Sequence, residues 1–216
     1  MLIALPNTNK SFTCTLFMPN EGEVSFVSLQ KESDVIDFFN IQFSDAMPLL
    51  ENFPQSFFEY PTGRLATIYA DNWHTENLCL IGDAAHAVVP FFGQGMNASF
   101  EDCNILMDCI KDEAGNWPKV FETYNKTRKP DADAIANMAI ENYIEMRDSV
   151  TQSDYIQRKE IANTLFEKFP HRFIPRYNMV SFTSIPYSKV YERGIIQQEI
   201  ISELDSNNID FEKAER

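Results

Sequence analysis

The chain has 216 residues, of which 44% are hydrophobic and 13% aromatic, so it is long enough to bury a core. Its 32 acidic and 18 basic residues give a formal net charge of −14, which argues against nucleic acid or an anionic membrane surface as a partner. No run approaches the roughly 20 apolar residues of a membrane span, and no signal peptide opens the chain. The four cysteines show neither CxxC nor zinc-like spacing. We therefore expect a cytoplasmic protein without a metal site.

The first third of the chain has the composition of short strands. Apolar runs separated by Pro, Asn and Gly predict strands at residues 2–5, 11–18, 23–29 and 57–69. One amphipathic helix interrupts them at residues 33–43, where Ser33 can cap the first turn.

The remainder is predicted to be helical after one short apolar strand at residues 78–81. Helices are expected around residues 100–110, from Trp117 onward, and at 131–150, 153–169 and 186–204. Strands with one helix followed by a helical block indicate an α+β fold, or part of a larger α/β enzyme.

A carboxylate and a glycine turn follow the predicted strand at residues 78–81. Asp83 comes directly after Gly82, at the strand end where open α/β folds bind ligands, and it can accept hydrogen bonds from polyol hydroxyls. Gly93 and Gly95 then precede a helix whose first N–H groups favour negative charge. Together these features suit a nucleotide-like cofactor.

Plainer interpretations of the same residues stay open. Asp83 can serve only as a turn cap, and paired glycines punctuate many loops. His86, among alanines, is more often a hydrogen-bonded structural histidine than a catalyst.

A stripe along the helix at residues 131–150 is apolar except for Asn142 and Glu145. A buried amide without partners costs a few kcal/mol, and a buried carboxylate more. Either both groups are satisfied inside the protein, or they line a cavity and bind a polar ligand. The six positions of the stripe are Ile135, Met138, Ala139, Asn142, Glu145 and Met146.

The string from Gly82 to Asp102 resembles the second FAD-binding motif of the flavoprotein aromatic hydroxylases. Further strings narrow the resemblance to the kynurenine 3-monooxygenase family, over residues 2 to about 190: 3–7, 11–19, 88–98, 142–147 and 173–177. This resemblance implies that the α+β chain is part of an α/β FAD-dependent hydroxylase fold.

Site residues follow from the resemblance, position by position. It implies FAD contacts from Asp83, Pro90, Gly95, Met96 and Asn97. It implies L-kynurenine contacts from Asn142, Tyr177, Glu145 and Phe91. Asn142 and Tyr177 would hold the amino-acid end, Glu145 would belong to the same pocket, and Phe91 would form part of the aromatic wall. By itself, Tyr177 would more often be a core tyrosine with a bonded hydroxyl.

The implied reaction is hydroxylation of L-kynurenine to 3-hydroxykynurenine in tryptophan degradation, with NADPH and O2 as co-substrates. The flavin supplies the difficult chemistry, so no catalytic side chain is predicted. Residues 1–77 would belong to the substrate-binding sheet domain, 78–130 to the C-terminal part of the FAD-binding domain and 131–204 to a helical substrate-pocket region. Residues 205–216 would form a polar tail.

The chain departs from the family in lacking a GxGxxG segment for the ADP half of FAD, and it has only 7 glycines. We therefore expect a C-terminal portion that binds FAD poorly alone, does not turn over, and has the missing N-terminal half as a partner. Two alternatives remain: a non-catalytic relict that binds ligand or partner, and a related hydroxylase with another aromatic substrate.

Overall fold

The computed structural model describes residues 1–150 and 152–207, apart from the side chains of 205–207. The chain divides into two compact units, Met1–Arg64 and Leu65–Arg216. Within the described residues, two strands form one small sheet and helices make up most of the rest, which confirms the α+β class. Most of the predicted polar tail, residues 208–216, lies outside the described residues.

The first unit contains the sheet and two short helices. Strand β1 (Leu2–Pro6) pairs antiparallel with β2 (Phe12–Leu16), with Leu2 opposite Leu16. Helices α1 (Glu32–Gln42) and α2 (Gln55–Glu59) follow. The unit buries its own small apolar cluster around Leu29, Val35 and Phe39.

Two of the strands predicted in this unit are not formed. Within residues 23–29, Ser25 and Ser28 bond to each other's backbone N–H groups and close a 3-10 turn at Phe26–Ser28. Residues 57–69 begin inside α2 and then have no regular structure. Ser33 is not the cap of α1, because the helix begins at Glu32 and Lys31 holds the cap position. The side chain that bonds to the backbone before the helix is Asp34, which accepts a hydrogen bond from the Gln30 N–H.

The second unit is helical and is built around one long helix. Its elements are α3 (Asp83–His86), α4 (Gly95–Asp112), α5 (Trp117–Asp148), α6 (Ser153–Lys168), α7 (Arg176–Phe182) and α8 (Tyr187–Asn207). One half of α5 packs with Trp73 and α4, and the other half packs with α7 and α8. No helix in the described part of the chain is both long and apolar enough to cross a membrane.

Sequence and structure differ at three places in this unit. Two predicted helices merge into α5, because Pro130 removes only one backbone hydrogen bond while buried side chains hold the helix on both sides of it. Residues 78–81 form no strand, since only a single bridge from Cys79 to His74 pairs them. Helix α7 was not predicted, because it has only 7 residues between Pro175 and Pro186.

A candidate flavin and substrate site

Gly82 sets the start of the predicted cofactor loop. Its φ is +60° and its ψ −143°, a conformation open essentially to glycine alone. Its N–H donates a 2.9 Å hydrogen bond to Asp102 Oδ2, and a Cβ at this position would lie 3.1 Å from Ser99 Oγ. Gly82 is therefore required both for its backbone angles and for its close approach to α4.

The partner of Gly82, Asp102, is fully buried and lies at the centre of a charged network. Its Oδ2 is 2.6 Å from His86 Nε2, and its Oδ1 accepts a 2.8 Å bond from Arg128 Nε. Burial opposes ionisation of Asp102, but hydrogen bonds from His86, Arg128 and the Gly82 N–H outweigh it and hold its pKa below the usual range. His86 is thus a hydrogen-bonded structural histidine, as the sequence indicated.

Arg128 extends the network from α5. Its guanidinium is 1% exposed, donates to the Ala98 carbonyl oxygen at 3.3 Å, and pairs with Glu101 and Asp131 at 3.2 and 3.4 Å. The network joins α3, α4 and α5 in one place. Sequence reasoning missed this role for Asp102. A signal was present, because Asp102 is a carboxylate at helical spacing between Ala98 and Cys109, on the buried face of α4. A polar residue on an apolar helix face is also what singled out Asn142.

Asp83, which follows Gly82, is exposed to solvent. It is the first residue of α3 and provides no side-chain cap, so the turn-cap interpretation is not what the structure shows. Among the described residues its carboxylate has no hydrogen bond or ion pair. Because Gly82 lies against Ser99, Asp83 sits beside the first turns of α4 with its oxygens available to a ligand.

The loop from Pro90 to α4 holds the other predicted cofactor residues. Pro90–Phe92 forms a 3-10 turn, Gly93 is left-handed with φ +65°, and α4 begins at Gly95. Pro90, Met96 and Asn97 are exposed. The loop is fixed by the buried side chain of Gln94, whose Oε1 accepts bonds from Asn97 Nδ2 at 2.9 Å and from the Tyr187 hydroxyl at 3.0 Å.

Three of the four predicted substrate residues meet at this same 3-10 turn. Asn142 Nδ2 donates a 2.7 Å hydrogen bond to the Phe91 carbonyl oxygen. The rings of Phe92 and Tyr177 stack, with centroids 6.0 Å apart and planes at 23°. Tyr177 is 54% exposed rather than a core residue. In the part of the chain that the structure describes, neither its hydroxyl nor Asn142 Oδ1 has a hydrogen-bond partner.

Glu145 is placed differently from these three. Its carboxylate pairs with Lys159 Nζ of α6 at 3.1 Å and is about one-third exposed. The polar members of the Asn142 stripe are therefore each partnered inside the protein. A surface cavity of about 250 Å³ lies nearby and contains Asn97 but none of the four predicted substrate residues. Its walls are Gln94, Asn97, Phe100, Glu101, Asn104, Val180, Ser181, Thr183 and Tyr187.

The residues around the loop fit one part of a flavin cofactor. Asp83 offers an unpaired, solvent-facing carboxylate for the hydroxyls of a polyol chain. The start of the 18-residue helix α4 offers free backbone N–H groups for partial negative charge. The space where a Gly93 side chain would lie is open, with no atom within 4 Å. In the described ranges, no group of three or more His, Cys, Asp or Glu side chains could hold a metal ion.

Comparison with known proteins supports FAD as the cofactor. Residues 45–139 match the family model of an FAD binding domain. The chain is 46% identical over 205 residues to a kynurenine 3-monooxygenase of Cytophaga hutchinsonii, covering 94% of this chain and 46% of that protein. The same named enzyme matches in Myxococcus xanthus at 44% identity (99% of this chain, 47% of that protein) and in Dictyostelium discoideum at 41% (98% and 49%).

The chain spans about half the length of the curated relatives it matches. At these identities, and with an FAD binding match that includes the Gly82–Asp102 string, the resemblance predicted from the motifs is confirmed. Nearly the whole chain is thus homologous to one half of the kynurenine 3-monooxygenases, which are flavin-dependent monooxygenases.

Proposed function

We propose that this chain supplies the flavin-facing loop and the substrate pocket of a monooxygenase that converts L-kynurenine to 3-hydroxykynurenine with NADPH and O2. One observation carries the proposal: the turn Pro90–Phe92 contacts Asn142 and Tyr177 and continues directly into the start of α4. The predicted substrate residues and the predicted cofactor residues are therefore parts of one continuous structure. The names of the relatives favour kynurenine as the substrate.

FAD would be held by Asp83, Met96 and Asn97, with Pro90 and Gly95 shaping the loop. When bound, FAD supplies the electron transfer and oxygen activation that no side chain of the chain provides. Asp83 would accept hydrogen bonds from the polyol hydroxyls. The first N–H groups of α4 would stabilise negative charge, with the dipole of the helix behind them.

The substrate's zwitterionic end would meet Asn142 and Tyr177. Asn142 Oδ1 can accept from an ammonium group, because the Nδ2 side is already bonded to Phe91. The half-exposed Tyr177 hydroxyl can donate to a carboxylate. Phe91 would line the aromatic wall, where an apolar surface excludes water from the reacting ring. Glu145 would border the pocket, held by its pair with Lys159.

The remaining half of the protein is the proposed partner of helix α4. The outward face of α4 carries four exposed side chains at successive helical turns: Met96, Phe100, Cys103 and Met107. An apolar stripe of this length on a water-soluble surface favours a protein contact.

Residues 1–77 would contribute to the substrate-domain sheet, 78–130 to the FAD-binding domain and 131–204 to the substrate pocket. All four cysteines are free, which fits a reducing cytoplasm.

The test joins this chain to the part of the Cytophaga hutchinsonii relative that it does not cover. We expect bound flavin with absorbance near 450 nm, kynurenine-dependent consumption of NADPH, and 3-hydroxykynurenine identified by chromatography. Bound flavin with turnover of another aromatic acid would indicate a different substrate. A folded protein without flavin or turnover would contradict the proposal and favour a non-catalytic binding module.

A further inference from the structure

Arg176 and Glu141 form an ion pair between two elements of the proposed pocket. Arg176 is the first residue of α7 and directly precedes Tyr177, whereas Glu141 lies on α5 and directly precedes Asn142. The pair therefore connects the two positions in the chain that are next to the proposed substrate-binding residues.

A third helix completes the contact. The Tyr191 hydroxyl of α8 donates a 3.0 Å hydrogen bond to Glu141 Oε1, while Arg176 Nη1 bonds to Oε2. The Arg176 guanidinium carbon lies 5.8 Å from the centroid of the Tyr191 ring, within cation–π range. Both oxygens of Glu141 are thus occupied, and the guanidinium is fixed on two sides.

Helix α8 also leaves room for this arginine. A Cβ on Gly194 would overlap Arg176 Nε and lie 2.8 Å from Nη2, so the end of the arginine side chain would have to move away. One turn further along the same helix, Gln197 Nε2 donates a 2.9 Å hydrogen bond to the Ile174 carbonyl oxygen. Two residues of α8 therefore define the path of the segment that leads into Tyr177.

We propose that Arg176 and Glu141 are positioning residues, which set the separation of Tyr177 from Asn142 and so the geometry in which the substrate's amino-acid end is held. This inference rests on the proposed function for the identity of the substrate. Helix α7 has 7 residues and no side-chain cap at its start, and the ring of Tyr177 is half exposed between Phe92 and Phe182. Besides the buried side chains of Met179 and Val180, the Arg176–Glu141 pair is a contact that fixes the start of α7, directly beside Tyr177.

A purely structural role predicts a different outcome. An ion pair that only strengthened the packing of α7 would change the stability of the fold and leave ligand affinity unaltered. A positioning role predicts weaker binding even in variants that remain fully folded. The decisive variants are therefore those that displace Arg176 without removing a group that could touch the ligand.

The first experiment measures L-kynurenine binding by calorimetry in the joined protein that tests the proposed function. We expect Glu141→Gln and Gly194→Ala each to weaken binding about tenfold, since displacement of a binding group by a fraction of an ångström is costly. Gly194→Ala in an Arg176→Ala background should weaken binding no further, because the side chain that it displaces is already gone. Arg193→Ala, an exposed arginine on the same helix, is the matched control and should bind like the wild type.

A second measurement separates this inference from the identity of the ligand. The chain has 8 tyrosines, and 3-fluorotyrosine labelling with a Tyr177→Phe variant assigns the fluorine resonance of Tyr177. That resonance should shift in Glu141→Gln and Gly194→Ala but not in Arg193→Ala. A wild type that binds no kynurenine contradicts the proposed substrate alone, since the Tyr177 resonance still reports its position. An unshifted resonance in both folded variants, or unchanged affinity in a chain that does bind, would overturn the positioning role.

Discussion

The side-chain amide of Asn142 donates a hydrogen bond to the Phe91 carbonyl oxygen at 2.7 Å, so one group joins helix α5 to the loop that precedes α4. A carbonyl oxygen can only accept, which fixes the orientation of the amide and turns Oδ1 away from Phe91. Internal satisfaction and ligand binding are therefore compatible at this residue, because each uses a different side of the same amide.

Asn142→Leu tests both sides of the amide at once. The change removes the amide that donates to the half-buried Phe91 carbonyl, so we expect the free energy of unfolding to fall by about 1–2 kcal/mol. Affinity for L-kynurenine should fall as well, because the acceptor is removed. Urea unfolding and calorimetry measure the two effects. Asn163→Leu, on the exposed face of α6, should change neither, and an unaltered affinity in Asn142→Leu would remove this residue from the pocket.

Asp83→Ala should separate cofactor binding from folding. The carboxylate is exposed, so the urea midpoint should stay unchanged. We expect FAD to bind about tenfold more weakly, as for the loss of a charge-assisted hydrogen bond. Quenching of flavin fluorescence in the joined protein provides the affinity, and Asp112→Ala, another exposed carboxylate, is the control. Equal affinities for the two variants would show that Asp83 does not touch the cofactor.

Gly82→Ala should destabilise the chain more than Gly93→Ala. Both residues have positive φ, +60° and +65°, but only at Gly82 would a Cβ approach another side chain, at 3.1 Å from Ser99 Oγ. We expect about 1–3 kcal/mol for Gly82→Ala from the backbone alone, with the contact adding to it. Adding Ser99→Ala should restore the part of the stability that the contact with Ser99 Oγ removes. If Gly82→Ala is equally destabilising with and without Ser99→Ala, the close approach to α4 contributes nothing.

Asp102→Asn should lower the free energy of unfolding by about 3 kcal/mol, because it leaves the buried Arg128 guanidinium short of a charged partner. The same residue predicts a dependence on pH. Its folded pKa lies below the ordinary 3.8, so its stabilisation is complete above that pH and is lost as the pH falls through the folded pKa.

Acid unfolding therefore distinguishes Asp102 from the other carboxylates. Between neutral pH and the acid region below about pH 3.8, the wild type should lose more stability than Asp102→Asn, which has no proton to take up at this position. Asp108→Asn, exposed on the same helix, should follow the wild type at every pH. Parallel curves for wild type and Asp102→Asn would contradict the lowered pKa.

Sequence patterns predicted the parts of the fold that depend on local periodicity. Helices α4, α6 and α8 lie close to their predicted bounds, and Ile135, Met138 and Ala139 of the Asn142 stripe are buried. The strand predicted at residues 78–81 is not formed, because a strand needs a neighbouring strand to pair with and composition does not reveal one. Two helices were predicted where α5 is continuous, because the burial that holds α5 together across Pro130 comes from distant segments.

In the candidate site, too, local sequence patterns were predictive and contacts between distant residues were not. Asp83, Phe91, Asn142 and Tyr177 were predicted from the resemblance of the motif strings, and the structure brings the last three to one turn. The Asp102–Arg128 contact joins residues 26 positions apart, and the Arg176–Glu141 contact joins residues 35 apart. Pairings between charges so far apart leave no periodic trace in a single sequence.

Helix α5 contains both Arg128, which holds the loop of Asp83 through Asp102, and Asn142, which holds the turn of Phe91. At 1.5 Å per residue these anchor points are about 20 Å apart along one unbroken axis. The helix thus sets how far the proposed cofactor end is from the proposed substrate end, and lengthening it by a single residue would rotate Asn142 by about 100° away from its partner. A one-residue insertion or deletion between positions 128 and 142 should for that reason break the contact between Asn142 and the Phe91 carbonyl.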